Sequence, residues 1–231
     1  MRLREMLRRA DRWLLDVFYP ERAACLTCGR PSHRARLCPG CAATLDALRL
    51  DGEQDLWLGA AYRYQGVARK LVHRLKYDCV EDAARLLACA MAENARAMQL
   101  PGDTVVTWVS MPEKRRRMRG IDHGRLLAEN VAGALGLACR ALLERPGRGL
   151  GRTQRGLGRT ARLRNLQGAF RCAGDIPPHV LLVDDVYTTG ATMRECTACL
   201  REGGARRVET LTACRVMSRE NTGEWMGRQG T

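Results

Sequence analysis

Two groups of residues in this chain have the types and the spacing that chemistry requires. The first is Cys25, Cys28, Cys38 and Cys41, a C-x2-C-x9-C-x2-C arrangement with Gly29 after the second cysteine and Gly40 before the last. Two such knuckles let four thiolates close a tetrahedron about Zn2+, and the glycines permit the tight turns that bring the sulfurs together. With cysteine at all four positions the site is closed, hence structural rather than catalytic. A redox dithiol and an iron–sulfur centre are the alternatives, and His33, between the knuckles, could serve only by replacing a cysteine.

The second group is HVLLVDDVYTTGATMREC, residues 179–196. An apolar strand leads into Asp184 and Asp185, and a Thr/Gly turn then opens a helix. Unpaired backbone N–H groups of that helix N-terminus face the crevice at the end of the strand. The turn, Thr188, Thr189, Gly190, Ala191 and Thr192, is therefore a phosphate cradle: the threonines add hydroxyl donors and Gly190 permits close backbone approach. The two acids can take the two hydroxyls of a ribose, or hold Mg2+ near a diphosphate. No other carboxylate pair suggests acid–base work, and His123, single at a helix start, reads as a cap or surface residue rather than a general base.

These groups need a scaffold, and the hydrophobic pattern describes one. Residues 3–18 carry Leu3, Met6, Leu7, Ala10, Trp13, Leu14 and Val17 on one helical stripe, stopped by Pro20. From Trp57 onward strands and helices alternate. WLGAAYRYQG is a strand, VARKLVHRLKY a short helix, EDAARLLACAMAENARAM a long one, DTVVTWVSM a strand, and HGRLLAENVAGALG a helix. CRALLER and AFRC follow as strands around a Gly/Arg-rich loop at 145–168, then HVLLVDDV, the helix ATMRECTACLREGG and the last strand RRVETLTACRV. Such alternation means an α/β fold with a mostly parallel sheet. The organisation is an amphipathic helix at 1–20, a four-Cys zinc module at 21–50, an α/β domain at 57–217 and a tail at 218–231. The pair Cys196 and Cys199 falls on one face of a helix without a second pair, and with Cys79, Cys89, Cys139, Cys172 and Cys214 it is read as core.

Composition bounds the rest. The chain has 231 residues, 45% hydrophobic and 28% charged, a globular make-up that excludes disorder over its whole length and the collagen and coiled-coil classes. No apolar run reaches the roughly 18 residues of a membrane span. Because Arg8, Arg9, Asp11 and Arg12 interrupt the first twenty residues, a cytoplasmic protein is expected. In that reducing compartment eleven cysteines are not a disulfide framework. The net charge of +14 comes from 36 Arg and 3 Lys against 25 acids, an arginine skew that reads as a coding bias toward G and C. It is concentrated: residues 111–171 hold 15 cations and 4 acids, a net +11.

The string V-D-D-V-Y-T-T-G-A-T resembles the 5-phosphoribosyl-1-pyrophosphate (PRPP) binding signature of type I phosphoribosyltransferases. Combined with the N-terminal double CxxC, it is similar to the ComF competence-protein family, also called GntX-like. KYD at Lys76 and Tyr77, KRRRMRG at 114–120, QRGLGRTARLRNLQGAF at 154–170 and GGARRVETLTACRV at 203–216 fall in that family's order. The likeness runs over about residues 14–217. Two elements depart from it: Arg119, Gly120, Ile121, Asp122 and His123 stand where the family shows R-G-F-N-Q, and Arg152, Thr153 and Gln154 where it shows Thr-Pro-Pro-Gln.

The resemblance implies a parallel sheet of type I phosphoribosyltransferase type, with a small zinc ribbon in front. It implies that Asp184 and Asp185 bind the ribose hydroxyls as the catalytic acids, and that Thr188 to Thr192 bind the 5-phosphate. Ser110, Met111 and Pro112 would form the diphosphate loop, and the Arg-rich segment 145–168 the loop that closes over the site. Arg115, Arg119, Gln154 and Arg162 become candidates for contacts to the anion. PRPP with Mg2+ is the implied ligand, single-stranded DNA and DNA-uptake or DNA-processing proteins the implied partners, and natural transformation the implied setting. One PRPP does not need the twelve cations at 114–119 and 145–164. The surplus reads either as a solvated basic face or as a contact for single-stranded DNA or another polyanion, although no aromatic between Trp108 and Phe170 offers a base-stacking platform. The alternative is a working phosphoribosyltransferase that passes phosphoribose to a nitrogen acceptor.

Overall fold

The computed structural model describes residues 24–32, 36–50, 58–78, 81–112, 117–118, 120–145 and 169–217. The helix expected at 3–18, the loop at 146–168 and the site candidates Arg115, Arg119, Gln154 and Arg162 lie outside the described residues.

Five strands form one parallel sheet in the order β1-β7-β6-β2-β3. They are β1 (Leu58–Arg63), β2 (Val105–Trp108), β3 (Ala138–Cys139), β6 (His179–Tyr187) and β7 (Arg207–Arg215). Their β-branched runs suit a sheet covered on both faces. Val183 sits level with Leu211 on one side and Trp108 on the other, which fixes the register at the strand end that carries the acids. Two short strands, β4 (Leu143–Glu144) and β5 (Arg171–Cys172), pair antiparallel beside the sheet.

Helices cover both faces. On one lie α2 (Gly66–His73), α3 (Glu81–Ala97) and α4 (His123–Leu135), burying Leu71, Leu87, Met91, Leu127 and Val131 against Leu181, Val183 and Leu211. On the other lies α5 (Ala191–Glu202), whose Met193, Cys196 and Leu200 meet Val180, Leu182, Val208, Leu142 and Phe170. Side chains alternate along β6, so Leu181 and Val183 serve one core while Val180 and Leu182 serve the other. The same alternation sends the next two residues, Asp184 and Asp185, to opposite faces.

The sequence reading is modified in three places. CRALLER is not one strand: the ladder on β2 ends with Arg140 N–H on the Val106 carbonyl at 3.0 Å. Leu142 N–H then goes to Thr107 Oγ1 at 3.2 Å instead of a backbone carbonyl, so the chain leaves the sheet edge between β3 and β4. VARKLVHRLKY is not uniform α-helix: after His73 it widens into a π-helical turn, Arg74–Asp78. Of the cysteines read as core, Cys196 and Cys214 are buried and Cys139, Cys172 and Cys199 partly so, but Cys89 is exposed on α3, and Cys79 lies outside the described residues.

The four-Cys segment is docked on the body. Its helix α1 (Pro39–Asp46) starts with Pro at its first position, where no N–H is required. Leu48–Leu50 then runs antiparallel beside β1, with Arg63 N–H on the Leu48 carbonyl at 2.8 Å and Leu50 N–H on the Ala61 carbonyl at 3.1 Å. Arg49 pairs with Glu93 at 2.6 Å, and Arg36 with Asp82. Among the described residues no helix is long and apolar enough to cross a membrane.

Candidate functional site

Cys25, Cys28, Cys38 and Cys41 come from a knuckle and from the start of α1, and their sulfurs all lie within 4.8 Å of one another. Gly29, at φ +73°, makes the knuckle turn, closed by Gly29 N–H on the Cys25 carbonyl at 2.9 Å. Zn–S bonds of about 2.3 Å in a tetrahedron require sulfurs about 3.8 Å apart, and Cys28 Sγ and Cys38 Sγ are 3.7 Å apart. Four thiolates at that spacing fit a thiophilic ion. Burial pushes the Cys25 thiol up, but the Thr27 hydroxyl and backbone N–H groups outweigh it and hold the thiol down at about 5. Cys41, lowered by Thr27 but raised more by burial and the other three sulfurs, stands at about 11, so the four thiols share their protons unevenly.

The second site forms at the carboxyl ends of the strands. Beyond β6, Thr188 and Thr189 are exposed and Gly190, at φ +72°, is the N-cap of α5. Gly190 is required twice over: its φ disfavours any side chain, and a Cβ there would fall 2.3 Å from the Tyr187 hydroxyl oxygen. The N-cap is a glycine and offers no side chain of its own to the first turn of α5, whose N–H groups lie at the carboxyl end of β6 with the helix dipole behind them.

Asp184 and Asp185 border that turn with unlike surroundings. Asp185 is nearly buried, and both its oxygens are held: Lys76 Nζ lies 2.7 Å from Oδ1 and His123 Nε2 lies 3.1 Å from Oδ2. Burial would raise its carboxyl, but His123 and Lys76 prevail and hold it below the usual carboxylate range. Asp184, partly accessible on the opposite face, accepts the Asp185 N–H at Oδ1 at 2.8 Å. Burial and the charge of Asp185 push it up to about 8. The surroundings thus favour the protonated form of Asp184 and the ionised form of Asp185.

Ser110, Met111 and Pro112 follow β2 at the same sheet end, half-buried, with Val109 N–H on the Val183 carbonyl at 3.1 Å. The Ser110 hydroxyl is engaged with the Leu143 carbonyl. A cavity of about 640 Å3 opens to the side, lined by Trp108, Ile121, Asp122, Arg125 and Cys139 among others; neither acid lines it, so it is not the crevice described above.

The sequence reading gave Lys76 no role and assigned His123 to the surface or a cap. The cap of α4 is Asp122, whose Oδ1 accepts from Gly124 N–H at 3.1 Å and Arg125 N–H at 3.2 Å. His123, one residue later, turns inward, 8% exposed. The available signal was compositional: Lys76 is one of 3 lysines in a chain with 36 arginines, so a lysine here resists the prevailing bias.

The chain is similar in sequence to known proteins. Residues 178–224, which include β6, the turn and α5, match the phosphoribosyl transferase domain model. The DNA utilization protein YhgH of Salmonella typhimurium is 31% identical over 208 residues, 84% of this chain and 90% of that protein. The competence protein ComFC of Streptococcus pneumoniae is 48% identical over 40 residues, 17% of this chain and 18% of that one. Among solved structures, the allosteric regulatory enzyme of purine biosynthesis is 24% identical with a TM-score of 0.42, over 62% of this chain and 30% of that longer one.

Proposed function

Since the chain belongs to the ComF/GntX-like family, with a phosphoribosyltransferase-type domain, we propose that it binds PRPP with Mg2+ and acts on single-stranded DNA during DNA uptake. The observation that carries the ligand is the glycine-capped N-terminus of α5 behind Thr188, Thr189 and Gly190, beside two acids. Backbone donors and a helix dipole take a phosphate, and carboxylates flanking it take ribose hydroxyls. Because Lys76 and His123 occupy Asp185, Asp184 is the carboxyl that turns to the ribose, and Mg2+ bound with the diphosphate would offset its charge. The relatives' names, DNA utilization and competence, support the setting.

In the same reading Zn2+ fills the four-thiolate site and holds residues 24–50 against β1 and α2. The amphipathic helix at 1–20, the zinc module at 21–50, the ligand domain at 57–217 and the tail at 218–231 are the units of this protein, which works in the cytoplasm alongside DNA-uptake or DNA-processing proteins. A working transferase is the second reading, favoured by the intact Asp184/Asp185 pair: transfer to a nitrogen acceptor would need the ribose held and the departing diphosphate stabilised. Isothermal calorimetry with PRPP and Mg2+ tests the site. Asp184→Ala/Asp185→Ala is expected to abolish the binding heat seen with the wild type, and unchanged binding would refute the assignment.

A further inference from the structure

Helix α2 leaves the carboxyl end of β1, so it and the π-helical turn lie over the edge of the sheet where the crevice opens; the contact of Lys76 with Asp185 fixes this. π-helical turns recur at functional sites because the extra residue re-aims the side chains around it. Here three successive residues take three directions. Leu75 is fully buried, Lys76 reaches inward to Asp185, and Tyr77 projects outward, 60% exposed. A turn earlier on the same face, the exposed His73 ring lies against Tyr77, with centroids 4.5 Å apart and planes tilted by 39°. An exposed aromatic backed by a second ring at the mouth of a crevice is not what burial alone would produce.

Charge points the same way. From Gly66 to Tyr77 the segment carries Arg69, Lys70, Arg74 and Lys76 and no acid. Arg74 is committed to the scaffold, donating to the Leu26 carbonyl at 3.0 Å and to Asp78 at 2.8 Å, and Lys76 is committed to Asp185. Arg69 and Lys70 are exposed on α2. The surface therefore offers cations that suit phosphates and a ring that suits a base. That pairing describes a sequence-tolerant platform for single strands, since every base has a face to stack and duplexes hide theirs.

We propose that Tyr77, backed by His73 and flanked by Arg69 and Lys70, stacks an unpaired nucleobase, and that a single strand of nucleic acid crosses the crevice mouth over α2 and the π-helical turn. This rests on the reading of single-stranded DNA as a partner, and moves its contact from the arginine-rich segment to a described surface that adjoins Asp185. The docked four-Cys segment, through the Leu26 carbonyl on Arg74, then holds the platform in place.

Fluorescence anisotropy on the full chain, with labelled oligo(dT) over a series of salt concentrations, tests the proposal. Tyr77→Ala is expected to weaken oligo(dT) binding about tenfold, and Tyr77→Phe, which keeps the ring, to bind like the wild type. An oligonucleotide with abasic residues should bind wild type and Tyr77→Ala alike. Arg69→Ala/Lys70→Ala should lower the slope of log affinity against log salt by about 1.4, or about 0.7 for each phosphate no longer neutralised. Calorimetric PRPP binding by Tyr77→Ala, unchanged, would certify the fold. Equal oligo(dT) affinity for Tyr77→Ala and wild type, with wild-type binding intact, overturns the platform and leaves the DNA reading standing. A wild type that does not bind oligo(dT) at low salt overturns both, and duplex bound as tightly as oligo(dT) overturns stacking.

Discussion

The four-Cys segment and the acid crevice are built on opposite principles. In the first, every chemical group lies within a short stretch, and the spacing of the cysteines already places them: four sulfurs within 4.8 Å come from residues 25 to 41. In the second, the motif supplies only half the site. Asp184, Asp185 and the Thr/Gly turn are local, but what sets Asp185 apart from its neighbour comes from Lys76 on the π-helical turn and His123 at the head of α4. A local site of this kind would depend on the ion it holds, whereas an assembled site depends on the packing that brings its elements together.

The largest effect separating the two should follow metal removal. Structural Zn2+ in small four-ligand sites is worth about 10–16 kcal/mol of apparent binding free energy, which is folding free energy for the segment that holds it. Chelation, or Cys38→Ser, should therefore expose the amides of residues 25–50 to hydrogen exchange while those of β6 and β7 stay protected. Exchange mapped by mass spectrometry checks this. Unchanged protection of residues 25–50 in metal-free protein would erase the contrast, because that segment would then be held by Arg49–Glu93, Arg36–Asp82 and its strand-like pairing to β1 instead.

A smaller effect belongs to the crevice. Lys76→Met removes one partner of Asp185 and leaves the carboxylate with His123 alone. Breaking a buried pair costs about 3–5 kcal/mol, and Lys76, a quarter exposed, brings this to about 2 kcal/mol by solvent screening. His123→Gln keeps a donor near Oδ2 and is expected to cost less than about 1 kcal/mol. Denaturant unfolding of the two variants measures the difference. In Lys76→Met/Asp185→Asn, where no lone charge remains, much of the loss should return; a double variant as unstable as the single one would show that Lys76 acts by packing.

What the sequence disclosed follows the same division. The alternation of strands and helices, the strand at 179–187 and the helix that follows were legible because each is encoded by neighbouring residues. The break in CRALLER was not, since Thr107, on a strand 35 residues before it, takes the Leu142 N–H. Nor was the π-helical turn: RLKYD continues a helical pattern, and only the approach of Lys76 to Asp185 shows what the wider turn accomplishes. His123 was misjudged because adjacent Asp122 and His123 compete for one role at a helix start, and the winner is set by Asp185, 62 residues away. Exposure of Tyr77 was equally hidden, since a tyrosine after a lysine on an amphipathic helix reads as readily inward as outward.

The smallest effect, a pH slope, distinguishes the two acids themselves. Asp184 is raised from the ordinary carboxylate range to about 8. Between those limits the folded state holds a proton that the unfolded state has released, so stability declines as pH rises from about 4 to 8. Asp185, lowered by His123 and Lys76 against its burial, contributes in the opposite sense: its share is present above the unfolded carboxylate value and lost as pH falls through the folded one. In the window from pH 5 to 8 Asp185 is ionised in both states, so of the two acids only Asp184 adds a slope, and comparing the wild type with its own variant cancels what Cys25 and the other groups contribute. Thermal melts should then fall across that window by more in the wild type than in Asp184→Asn, whose amide stands in for the protonated acid. The difference is modest, because Asp184 is partly open to the crevice and water damps the penalty. Equal slopes would mean that Asp184 ionises as readily folded as unfolded, and the two carboxyls would then meet a ligand as like charges rather than as one acid and one anion.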